Sequence, residues 1–137
     1  MPQTEVLFVE DSAGDALLTQ QILVEVGLPV RLHIARDGLQ ALMMLNDRSF
    51  HPALVILDLN IPVLSGLDVL ERNPRKDVPI VVFTVSMRER DMEQTLALGA
   101  KEYVQKPMDM QGYREAVIGM IRRWAISNTD ARGKVRT

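Results

Sequence analysis

Residues 56–61 read I-L-D-L-N-I, preceded by Ala53-Leu54-Val55 and followed by Pro62. An unbroken aliphatic run of this length suits a strand covered on both faces, as in a parallel sheet under helices. Asp58 lies near its end. An ionised carboxylate among aliphatic neighbours costs several kcal/mol unless a partner compensates it, by about the margin seen for unpaired buried charges. The stretch therefore predicts a central strand and asks what Asp58 pairs with.

Outward from this run, apolar and amphipathic blocks alternate. Residues 6–9 (V-L-F-V) form an apolar, β-branched strand. Residues 15–27 place Ala16, Leu17, Ile22, Leu23 and Val26 at helical spacings, with Gly27 as the stop. Residues 30–35 alternate apolar and polar, as in a half-buried strand. Asp37 caps a helix running to about residue 46. The third strand covers 53–57, and a short helix after Gly66 must stop before Pro74. A fourth strand covers 79–84, a helix 89–98 ends at Gly99, a fifth strand covers 102–105, and the last helix covers 111–125. Five β-α units with right-handed crossovers predict a flavodoxin-like (βα)5 fold of the α/β class, a doubly wound parallel sheet in the order 2-1-3-4-5.

The totals exclude several classes of function. The 137 residues include no cysteine, which removes disulfides, thiol nucleophiles and Cys-based zinc sites. A net charge of −2 gives no basic excess for nucleic acid, and no apolar run is long enough to span a membrane or to form a signal peptide. The expectation is a cytoplasmic domain over residues 1–126 with a flexible tail over 127–137. His33 and His51 are not at metal-ligand spacing and are expected on the surface. The eight methionines are expected mainly in the core.

In an open parallel sheet the ligand lies beyond the carboxyl ends of the strands, at the switch point between strands 1 and 3. Strand 1 ends in Glu10-Asp11, strand 3 in Asp58, strand 4 in Thr84 and strand 5 in Lys106-Pro107. Edge strand 2 ends in Ala35-Arg36, away from that point. Each residue alone has a bland reading: Asp11 as a helix cap, Thr84 as a common strand residue, Lys106 as a solvated cation. Together they deliver three carboxylates, a hydroxyl and an ammonium to one pole. Clustered carboxylates repel, and a hard divalent cation relieves that repulsion. A cation beside a carboxylate nucleophile, with Lys and Thr at hand, is equipped for phosphoryl transfer to an aspartate.

These residues resemble the signature of response regulator receiver domains, the CheY-like modules of two-component signalling. Asn60-Ile61-Pro62, Gly66, Asp37-Gly38, and Ala97-Leu98-Gly99-Ala100 leading to Tyr103 add to the match, which spans roughly residues 5–125. The stretches V-E-D-S-A-G-D-A-L-L and R-L-H-I-A-R-D-G-L-Q-A-L are similar to those of stand-alone receivers that partner bacterial phytochrome histidine kinases. The resemblance implies that Asp58 accepts a phosphoryl group from a sensor histidine kinase. It implies Mg2+ held by Asp11, Asp58 and the main-chain carbonyl of Asn60, with Glu10 acting largely through water. It implies that Lys106 pairs with the acceptor, that Thr84 bonds the phosphoryl group, that Tyr103 is the switch aromatic, and that Pro107 follows a cis peptide.

Two departures stand out. Residue 85 is Val where the family most often has Ala, and the segment from 66 to 79 is about one helical turn short. Too few residues follow Ala125 for an output domain, so output is expected through protein contacts or a phosphorelay, without nucleic acid or membrane. Ile118 and Ala125 lie outside the apolar stripe of the last helix. With the charges Arg88, Arg90, Asp91, Lys101, Glu102 and Arg122, they suggest a homodimer through helix 4, strand 5 and helix 5. An enzymatic reading as an aspartyl phosphatase would need an acid two residues after the nucleophile, where Asn60 stands. A flavin module would need a phosphate loop where E-D-S-A-G-D stands.

Overall fold

All four residues of the strand Leu54–Leu57 are buried, as are residues 6–9 and 80–84 of the strands beside it, because helices cover both faces. The computed structural model describes residues 3–126. Its elements alternate: β1 (Thr4–Val9), α1 (Ala13–Val26), β2 (Val30–Ala35), α2 (Gly38–Asn46), β3 (Leu54–Leu57), α3 (Gly66–Arg72), β4 (Ile80–Thr84), α4 (Glu89–Ala97), β5 (Glu102–Gln105) and α5 (Met110–Met120). The five strands are parallel and ordered β2-β1-β3-β4-β5, as the alternation predicts.

Period-2 alternation sorts the strand side chains between two cores. Leu7, Val9, Val55, Leu57 and Val82 face α2 and α3, where Leu42, Leu45, Val69 and Leu70 meet them. Val6, Phe8, Ile56, Val81 and Phe83 face α1 and α5, where Ile22, Leu23, Val117 and Met120 meet them. α4 differs from the other helices in that Thr95 is its one buried residue. α3 is only 7 residues long, in keeping with the shortened segment.

Register brings the strand exits level. Val9 pairs with Leu57, Leu57 with Val82, and Thr84 with Gln105. Local caps then start each crossover. Ser12 accepts from the Asp15 N–H (3.1 Å), so Ser12 rather than Asp11 caps α1. Asp37 accepts from Gln40 N–H (2.7 Å), and Ser65 forms a capping box with Asp68. Gly27 takes φ 71° and closes α1 in the left-handed region.

Several expectations are corrected. The last helix is not uniform: α5 passes into a π-helical turn over Ile121–Ala125. That turn brings Arg123 Nη2 (2.9 Å) and Trp124 Nε1 (2.8 Å) onto one carboxylate oxygen of Glu102. Trp124 is thus half-buried with its indole N–H committed to β5. Ile118 and Ala125 pack on the margin of the core beside it. His33 is half-buried, 3.0 Å from Glu5 Oε1 and edge-on to Phe50, because β2 is covered on that face. Met43, Met87, Met92, Met108 and Met110 are exposed, while Met120 is buried. The tail expected over 127–137 lies outside the described residues.

The loop after β3 is the tightest place in the chain. A Cβ on Gly38 would stand 2.0 Å from the carbonyl oxygen of Leu64, and one on Gly66 would stand 2.7 Å from that of Asp58. Between them Val63 takes φ 72°, and Leu64 N–H donates to Pro62 O across it (2.9 Å). A β-branched residue in this region is strained by about 1–2 kcal/mol. Val63 is 70% exposed, so its side chain contributes little burial. We expect Val63→Gly to raise stability by roughly 1 kcal/mol, after allowing for the unfolded-state entropy of glycine. Gly38→Ala should lower it by about 3 kcal/mol or more. Denaturant midpoints at constant slope measure both, and a destabilised Val63→Gly would contradict the strain.

Candidate phosphoryl-transfer site

Lys106 organises the site. Its backbone N–H donates to Thr84 O (2.7 Å), one step past the Thr84–Gln105 pair, which carries its side chain over the exits of β1 and β3. Its Nζ is 2.9 Å from Asp58 Oδ2 and 3.0 Å from Asp15 Oδ2, and it also pairs with Glu10 Oε1. Glu10 and Asp58 are buried, at 1% and 6% exposure, and Lys106 at 7%. The question raised by Asp58 is answered here: its Oδ2 takes the ammonium and its Oδ1 accepts from the Asn60 N–H (3.1 Å). The backbone holds it as well, since Asp58 N–H donates to Val9 O.

The electrostatics follow from burial against pairing. Burial pushes the Glu10 carboxyl up to about 7, the Lys106 ammonium pulls it back, and the Asp58 charge adds to the rise. Burial also disfavours the Lys106 charge. The carboxylates of Glu10, Asp58 and Asp15 outweigh that and hold its pKa above the ordinary lysine value. The site is short of positive charge, with three carboxylates sharing one ammonium and Asp11 next in the chain.

Among the described residues, no three His, Cys, Asp or Glu side chains form a ready metal cage. Mg2+ does not require one, since it binds through one or two carboxylates plus carbonyl and water oxygens. Exposed Asp11, Asp58 and the Asn60 carbonyl offer an all-oxygen set of that kind beside unbalanced negative charge. Both Glu10 oxygens are engaged, one by Lys106 and the other by the Ser12 N–H (3.1 Å).

Thr84 Oγ1 is buried and has no hydrogen-bond partner among the described residues. A buried unpaired hydroxyl is uncommon and costs about 1–3 kcal/mol, and here it lies at the exit of β4. Val85, which follows it, is 57% exposed at the mouth. Tyr103 is tied to the same loop: its hydroxyl donates to Ser86 O (2.9 Å), while Ser86 Oγ donates to Asp91 Oδ2 on α4 (2.6 Å).

Sequence reasoning missed Asp15, Ser86 and Arg36. Asp15 and Lys106 are 91 residues apart, and only the rotation of α1 after its Ser12 cap brings them together. The three acids of E-D-S-A-G-D were the available signal. Arg36, set aside with the edge strand, donates to Asp11 O (3.2 Å). The Lys106–Pro107 peptide is trans, not cis; trans is the favoured isomer of an X–Pro bond, and Lys106 reaches all three carboxylates from it.

Residues 6–118 match the response regulator receiver domain family. The chain belongs to that family. It is 34% identical over 132 residues to response regulator Rcp1 of Synechocystis sp., covering 90% of each protein. A structure of phosphorylated cyanobacterial phytochrome response regulator RcpA superposes with a TM-score of 0.82 at 28% identity, covering 89% of this chain and 94% of that one. The Mn2+-bound form of Rcp1 gives 0.77 at 33% identity, covering 86% and 91%. Among the described residues no helix is long and apolar enough to cross a membrane.

The lone hydroxyl predicts a trade between stability and function. Thr84→Val keeps the shape and removes an unpaired buried group. We expect it to stabilise the unmodified receiver by about 1 kcal/mol in thermal or denaturant unfolding. An equal loss of stability would mean that the hydroxyl has a partner after all.

Proposed function

We propose that this receiver takes a phosphoryl group from a sensor histidine kinase onto Asp58 and signals by rearranging the β4–α4 loop. The observation that carries the reading is the convergence of buried Asp58, buried Lys106 and the unpartnered Thr84 hydroxyl at one end of the sheet. Asp58 supplies the nucleophilic oxygen. Lys106 holds that carboxylate in place and then stabilises charge on the incoming phosphoryl oxygens. Thr84 supplies a donor whose first partner would be one of those oxygens. The buried aliphatics around Asp58 fix it against the sheet and restrict its water.

Mg2+ held by Asp11, Asp58 and the Asn60 carbonyl would supply the positive charge that phosphoryl transfer needs and that this site lacks. Likeness to phytochrome response regulators supports a bacteriophytochrome-type kinase as the donor. Asn60, two residues after the acceptor, supports a phosphoacceptor over a phosphatase, because an amide cannot act there as general acid and base.

The output follows from what is tied to Thr84. Movement of Thr84 toward a phosphoryl oxygen shifts Ser86, and Ser86 bonds both the Tyr103 hydroxyl and α4. Tyr103 is therefore the switch aromatic in this reading, released when Ser86 moves. α4 is sparsely packed and exposes Met92 and Leu96 one turn apart. This supports a homodimer through α4, β5 and α5. Two of the charges on that face, Asp91 and Glu102, already have partners within the chain, so the apolar residues carry more of that proposal.

With Mg2+ and a small acyl phosphate, we expect the protein to gain one phosphoryl mass and change its sedimentation, and Asp58→Asn to do neither. Modification that persists in Asp58→Asn would overturn the reading. Val85→Ala opens the mouth of the site. It should speed loss of the phosphoryl group by about threefold, a barrier change below 1.36 kcal/mol. Equal decay in both proteins would remove any gating by Val85.

A further inference from the structure

The Lys106 ammonium has three protons, and all three are committed: to Glu10, to Asp58 Oδ2 at 2.9 Å and to Asp15 Oδ2 at 3.0 Å. A phosphoryl group on Asp58 brings three strong acceptor oxygens to the same place. Lys106 can bond one of them only by releasing an acceptor it already holds. Glu10 has a side chain 2% exposed and is also bonded by the Ser12 N–H, so it has no water to turn to. Phosphorylation turns the Asp58 carboxylate into a neutral acyl group, a weaker acceptor that stays in place, so Glu10, Asp15 and the phosphoryl oxygens are the anionic groups that then share Lys106.

Asp15 differs in each respect. Its side chain is 34% exposed, and Lys106 is its one hydrogen-bond partner among the described residues. Its backbone is held at both ends, the N–H on Ser12 Oγ at 3.1 Å and the carbonyl by the Tyr113 hydroxyl at 3.4 Å. The carboxylate can thus swing to solvent while α1 stays in place. We infer that Asp15 is a positioning residue that occupies the third donor of Lys106 in the unmodified chain and yields it to the phosphoryl group. This rests on Asp58 being the phosphoacceptor. It follows that Asp15 competes with the phosphoryl group for Lys106 and biases the site toward its unmodified state.

The test is the affinity for beryllofluoride, a phosphoryl mimic, with Mg2+ present, in the wild-type chain, D15N, K106M and D15N/K106M. We expect D15N to bind about fivefold more tightly, the size of one partly exposed charged pair. That gain should disappear in the K106M background, which separates action through Lys106 from a simple loss of negative charge. In the metal-free protein the Lys106 ammonium 15N resonance should shift in D15N, a reading that does not depend on K106M folding. Unchanged or weaker binding by D15N, a gain that survives in K106M, or an unmoved ammonium resonance would each overturn the inference. If the wild-type chain itself takes up no beryllofluoride, the phosphoacceptor reading fails, and this inference fails with it. If the wild type binds and D15N merely equals it, only the role of Asp15 is lost.

Discussion

One buried ammonium holds the functional end of this sheet together. Lys106 follows the last pair of an edge strand, and its side chain crosses the exits of β4 and β3 to reach Glu10 at the end of β1. Without it, buried carboxylates from two strands would face one another, and an uncompensated buried charge costs about 3–5 kcal/mol. The register of β4 with β5 and of β1 with β3 is therefore an electrostatic requirement as well as a packing one. A slip of one residue would turn Lys106 to the opposite face.

The two sides of the site are built differently. The loop after Asp58 is clamped, with Gly66 against the Asp58 carbonyl, Gly38 against Leu64, and Val63 strained between them. The loop after Thr84 is held by few contacts: Ser86 to Tyr103 and Asp91, then α4 with Thr95 as its buried residue. Local opening favours segments with few buried apolar contacts. A perturbation at Asp58 thus meets a rigid wall toward α3 and a compliant one toward α4 and β5. The proposed direction of the signal, toward α4 and β5, fits that asymmetry.

Much of this was legible in the sequence, for physical reasons. Aliphatic runs of strand length, separated by helical spacings and closed by Gly27 and Gly99, give the five units and their order. Strand ends fix where Glu10, Asp58, Thr84 and Lys106 fall without reference to any side-chain contact. What could not be read depends on helix rotation and on pairs distant in the chain. Asp15 meets Lys106 only once Ser12 sets the phase of α1. Trp124 is only half-buried at the core margin because a π turn changes the spacing after Met120, and Gly119 was the one residue at that junction that could have signalled a break. Arg36 reaches Asp11 from the end of the edge strand, at the exit of the neighbouring β1. Ser86 looks like an ordinary loop serine until its carbonyl is seen to accept from Tyr103.

The places where this chain breaks ordinary folding rules coincide with its chemistry. A stability-optimised core would not bury a hydroxyl without a partner at Thr84, nor gather three carboxylates on one lysine. The unpaired hydroxyl weakens the resting state in a way that an anionic group with several acceptor oxygens would relieve, by giving Thr84 an acceptor, whereas the crowded carboxylates call for added positive charge. The resting structure therefore stores, in the unmade hydrogen bond of Thr84, part of the free energy that separates it from the modified state. The stored part is local to the exit of β4. In the proposed mechanism Ser86 is the link, because that residue alone, among those described, bonds both the Tyr103 hydroxyl and the start of α4.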